Sequence, residues 1–178
     1  MPQDEIIPDD KDWTFVITEG CSECSFAPFP AIETSSRIVS AAKYFEGALA
    51  QPNVSLRPAP GVWSPLEYSC HVRDVFELFE ERLSKMIQLD NPEFDNWDQD
   101  RAAIERDYQN QRPEEVLKEL QRNAEGIAKS FASVTDDQWQ RSGLRSNGSY
   151  FTIESFAIYF IHDIEHHIHD IELQLQLS

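Results

Sequence analysis

Apolar residues recur every three or four positions in four long stretches of the chain, and each stretch predicts an amphipathic helix. The first covers about residues 31–50, after Pro28 and Pro30, with Ile32, Ile38, Val39, Ala42, Phe45 and Leu49 on its buried side. The second carries the strongest start signal. In Ser64-Pro65-Leu66-Glu67 a serine N-cap precedes a proline at the first helical position and a glutamate at the third, and Trp63 is placed to staple onto Tyr68. It runs to about Leu89, and its stripe is Tyr68, Val72, Val75, Phe76, Phe79, Leu83, Met86 and Ile87. The third follows Pro113 over about 114–133, burying Val116, Leu117, Leu120, Ala124, Ile127 and Phe131. Thr152 caps the last, which buries Ile153, Phe156, Phe160, Ile164, Ile168 and Ile171 on its way to about Leu175.

The remaining segments read as connections. Residues 91–112 are polar, with Trp97, Ile104 and Tyr108 as isolated anchors and a short helix near 99–108; long connections of this kind often shape a binding site. Thr135–Trp139 reads as a capped turn and Ser146–Ser149 as a reverse turn. Trp13–Ile17 is β-prone but isolated, so it is expected to lie extended against the helices, after an acidic, proline-punctuated and poorly ordered lead-in over 1–12. The expected architecture is all-α: a four-helix bundle over 31–178 behind an irregular arm over 1–30.

Composition narrows the partners. With 178 residues, 40% of them hydrophobic, the chain suits one domain with a packed core. A formal charge of −17, spread along the chain, repels polyanions, so nucleic acid is not an expected partner. No apolar run approaches the roughly 18 residues of a membrane span, and the start Met-Pro-Gln-Asp-Glu lacks the features of a signal peptide. A cytoplasmic location is expected, with the three cysteines reduced.

The candidate chemistry lies in the last helix, where Ile161–Asp170 holds four of the five histidines. Residues four apart share a helix face, so His162 pairs with His166 and Asp163 with His167, the two pairs pointing about 100° apart. The apolar register puts His167 just inside the edge of the buried stripe and Asp163 just beyond it, whereas His162, His166 and His169 face the other way. His71 sits at the edge of the second helix's stripe and can reach the bundle interior. Asp74, three residues on, is expected to be solvated, and Cys70 to be a buried small apolar residue. Imidazole and carboxylate are ligands for first-row divalent metals. In the arm, Cys21-Ser-Glu-Cys24 could be half of a structural zinc site or a redox pair; no βαβ pattern surrounds it to favour the redox reading. With His162 and His166 it makes the ligand inventory of a tetrahedral zinc, the arm then covering the outward histidines.

The combination of Trp63-Ser64-Pro65-Leu66-Glu67 with His71-x-x-Asp74, and of His162-Asp163-x-x-His166-His167-x-x-Asp170, resembles the DinB-like superfamily over about 32–175. That group of metalloenzymes includes bacterial thiol S-transferases and mycothiol-dependent maleylpyruvate isomerases. The resemblance implies an up-down-down-up bundle and a divalent metal, commonly zinc or nickel, held by His71, His167 and the residue one turn before His167. Many relatives have histidine where this chain has Asp163, so His162 and His166 stay open as alternative partners of His71. The implied activity is thiol-dependent S-transfer to a small molecule with a low-molecular-weight thiol as cosubstrate; the rivals are metal-dependent hydrolysis and a non-catalytic metal-binding stress-response module. Relatives often pair through their helices, which makes a homodimer an expectation.

Overall fold

The four long helices form where the apolar periodicity places them. The computed structural model describes residues 6–8 and 11–177, so the lead-in over 1–12, expected to be poorly ordered, lies partly outside the described residues. Helices α1 (Val16–Glu19), α2 (Thr34–Leu49), α3 (Pro65–Gln88), α4 (Gln99–Glu105), α5 (Pro113–Ala132) and α6 (Ile153–Leu177) are joined by strands β1 (Glu93–Phe94), β2 (Ser142–Arg145) and β3 (Tyr150–Thr152). The start of α3 is the predicted capping box: Ser64 Oγ accepts from the Glu67 N–H at 3.2 Å, and the Glu67 carboxylate accepts from the Ser64 N–H at 2.8 Å. Thr152 Oγ1 likewise accepts from the Ser155 N–H at 3.1 Å to start α6.

Side-chain contacts fix the relative directions of the bundle helices. Arg37 and Tyr44 of α2 meet Glu165 and Ile168 of α6, so these two run the same way. Arg73 and Glu80 of α3 meet Glu119 and Ser130 of α5, again in the same direction. His71 and Phe79 of α3 meet Asp163 and Phe156 of α6, which makes that pair antiparallel. The bundle is therefore up-down-down-up. Its core stacks Phe79 on Phe156 and Phe160, and Phe131 on Phe160, with ring centroids 4.7–5.8 Å apart.

Four expectations need correction. The molecule is mainly helical but not all-α, because β2 pairs in parallel with β1 and antiparallel with β3. The predicted turn at 146–149 is the tip of that hairpin, with Gly148 at φ +93. Gly143 lets β2 lie directly on Phe94 and Met86, since a Cβ there would come within 2.7 Å of the Phe94 ring. Ile32, in a 3-10 turn just before α2, and Val39 within it are exposed, and the buried stripe of α2 is Thr34, Ile38, Ala41, Phe45, Ala48 and Leu49. Ile38 and Phe45, seven apart, set that stripe, and small alanines complete it where α5 packs closely. Trp13–Ile17 is not extended: Asp12 caps Thr14, and a single 3-10 turn over Trp13–Phe15 leads into α1. In the crossover, Tyr108 is buried and Trp97 half-buried, but Ile104 is exposed, on the outer face of the short α4. Among the described residues no helix is long and apolar enough to cross a membrane.

Candidate metal centres

Helix α6 presents its two staggered pairs to different neighbours. The Asp163 and His167 pair faces α3, where His71 is buried beneath it. One oxygen of Asp163 lies 3.2 Å from His71 Nε2, the other 3.8 Å from His167 Nε2, and the donor atoms of all three residues lie within 4.8 Å of one another. His167 is oriented from behind, because its Nδ1 lies 3.0 Å from an Asp170 oxygen. A neutral imidazole that donates there turns the lone pair of Nε2 towards Asp163. Burial alone would raise the Asp163 carboxyl, but the attraction and hydrogen bond of His71, then His167 and His162, outweigh it and hold the group well below the usual carboxylate range.

Aromatic rings complete this site. Trp97 from the crossover stacks on His71 at 5.4 Å between centroids, Trp63 tilts against the same ring at 5.4 Å, and Tyr68 lies 5.0 Å from His167. Asp163 and His167 open onto a cleft of about 1230 Å³, whose walls include Trp13, Trp63, Trp97 and Arg145. Neither the role of Trp97 nor that of Asp170 follows from apolar periodicity; the i, i+3 spacing of His167 and Asp170 was the available signal for the latter.

The His162 and His166 pair faces the arm instead. Cys21, Cys24, His162 and His166 also bring four donor atoms within 4.8 Å of one another, with Cys21 Sγ 3.8 Å from His166 Nδ1. Trp13 covers both imidazoles, at 5.1 and 4.9 Å, and Phe26 packs edge-on to His162. His162 therefore points away from the bundle stripe and is nevertheless buried, with no hydrogen-bond partner for its Nε2 among the described residues. Burial, and then the neighbouring His166, push His162 down to about 4; His166 is lowered as well, chiefly by burial. Burial pushes the Cys24 thiol up to about 11, against a backbone N–H of Phe26 that hydrogen-bonds its sulfur.

The two groups are separate, so the register-shifted set of His71 with His162 and His166 does not assemble as one cluster. Asp74 is neither solvated nor aimed at His71: it is buried and takes hydrogen bonds from Arg73, Arg106 and the Tyr108 hydroxyl, tying the crossover to α3. Cys70 is fully buried, as expected of a small apolar residue.

The sequence model described as the DinB superfamily matches residues 47–171. No curated protein matches the chain. Among solved structures it is similar to YfiT from Bacillus subtilis, described as a probable metal-dependent hydrolase with an unusual four-helix bundle topology. The TM-score is 0.68 at 15% identity, over 98% of this chain and 95% of that one, a likeness of fold.

Proposed function

The chain belongs to the DinB superfamily, and on that premise we propose that it is a divalent-metal-dependent enzyme in which His71, Asp163 and His167 hold the ion and a low-molecular-weight thiol is the activated nucleophile. One observation carries the metal reading. Two imidazole nitrogens converge on one carboxylate, at 3.2 and 3.8 Å, and the Asp170 contact leaves His167 presenting a lone pair to it. A cation between these donors would take the place of the proton that otherwise joins an imidazole to the carboxylate, and would draw all three side chains onto one centre. Nitrogen and oxygen donors in this set suit zinc or nickel.

A divalent ion held by three side chains keeps a position for an exogenous ligand and lowers the pKa of a thiol or water placed there. The protein's own residues do the rest. Asp170 fixes the His167 ring, Trp97 stacks on His71 while Trp63 packs against it at a tilt, and Asp163 supplies a carboxylate ionised at neutral pH. The cleft, at about 1230 Å³, exceeds the space of a single small-ligand site of about 300–1,000 Å³, which leaves room for a thiol and an acceptor together. In the transfer the thiol loses its proton, its sulfur bonds to an electrophilic carbon, and the leaving group departs with the pair of the broken bond.

Hydrolysis at the same site is the second reading, favoured by the description of the similarly folded YfiT. A panel of small electrophiles, incubated with enzyme with and without added thiol, separates the two. Thioether products that require thiol and metal are expected; products that form without thiol move the assignment to a hydrolase. Turnover unchanged after complete chelation contradicts both.

A further inference from the structure

We propose that Cys21, Cys24, His162 and His166 form a second, structural zinc centre that fastens the amino-terminal arm to α6. The four side chains are the donor set of a closed tetrahedral zinc, and their donor atoms already lie within 4.8 Å of one another. With Zn–S near 2.3 Å and Zn–N near 2.0–2.1 Å, a tetrahedral centre sets sulfur and nitrogen ligands about 3.6 Å apart. The Cys21 sulfur and His166 Nδ1 stand at 3.8 Å. Binding releases two thiol protons and leaves a neutral centre, two thiolates against one dication, which suits the covered position.

Two independent features, one in the arm and one on α6, fit this assignment. The thiols stand on a tight turn closed by the Cys21 N–H to the Phe26 carbonyl at 2.9 Å, with Ser25 in the left-handed region at φ +61 directly after the second cysteine. On the helix side, His162 is buried with an unpartnered Nε2, a costly arrangement for a polar atom unless a ligand completes it. The centre would join residues 145 apart in sequence and hold Trp13, part of the cleft wall, against α6.

The test uses the whole chain, purified under a non-thiol reductant and titrated with Co²⁺ as an optical substitute for zinc. Wild type is expected to bind two equivalents, one of them giving an intense sulfur-to-cobalt charge-transfer band with tetrahedral d–d bands. His71→Ala should lose one equivalent and keep the band, which separates this centre from the cleft site. Cys21→Ser should lose the band and keep the other equivalent. Should that variant fail to fold, alkylation of Cys21 and Cys24 in the His71→Ala protein, slowed by zinc, decides the matter. Absence of the band in wild type, its survival in Cys21→Ser, or alkylation rates indifferent to zinc would overturn the proposal.

Discussion

The two sides of α6 differ in what closes over them. On the α3 side, Asp163 and His167 meet His71 and then open onto a cleft walled by tryptophans. On the arm side, His162 and His166 meet two thiols, pack against Trp13 and reach only the edge of the same cleft, with Phe26 edge-on to His162. One residue of register, about 100° of rotation, separates the pairs. Three donors leave a coordination position open towards the cleft and suit chemistry, whereas four donors close a tetrahedral centre and suit structure. A single histidine-rich helix can therefore serve both purposes, the partner element deciding which.

The largest expected effect that sharpens this contrast is in acid. In metal-free protein, unfolded His162 takes up a proton near its ordinary value of 6.5 but the folded residue resists until about 4. Unfolding is thus accompanied by proton uptake between these values, and stability falls as pH drops through that window, by up to about 3 kcal/mol. Urea melts of chelated protein at neutral pH and at the acid end of the window should show the loss, with a shallower dependence in His162→Gln. An equal dependence in the variant would assign the acid sensitivity elsewhere.

A smaller effect is expected on the cleft side. Asp170→Asn removes the carboxylate that orients His167, and a lost partner of this kind lowers metal affinity by about 10- to 100-fold. Competition with a chromophoric chelator reads this directly. The arm-side equivalent should keep its affinity; a drop there instead would mean that the two sides are not independent.

Much of this arrangement was legible in the sequence, for local reasons. The capping box at Ser64, the proline starts and the i, i+4 pairs of α6 are all decided within one or two helical turns. The corrections concern longer range. Strands of two to four residues, one containing Gly143, are too short to show alternation and form because the crossover lies beside the hairpin. Asp74 is claimed by Arg106 and Tyr108, more than thirty residues away. The β-prone Trp13–Ile17 coils where Asp12 caps it and Trp13 packs on imidazoles supplied by the other end of the chain. In α2 the alanines that decide the buried face carry little weight in a hydrophobic pattern, although their small size admits α5.

Anomalous diffraction from crystals of the full chain grown with zinc, recorded on either side of the zinc edge, addresses the central claim most directly. The account predicts a peak enclosed by His71, Asp163 and His167, and a second enclosed by Cys21, Cys24, His162 and His166. A fully zinc-equilibrated crystal with no peak among His71, Asp163 and His167 would contradict it.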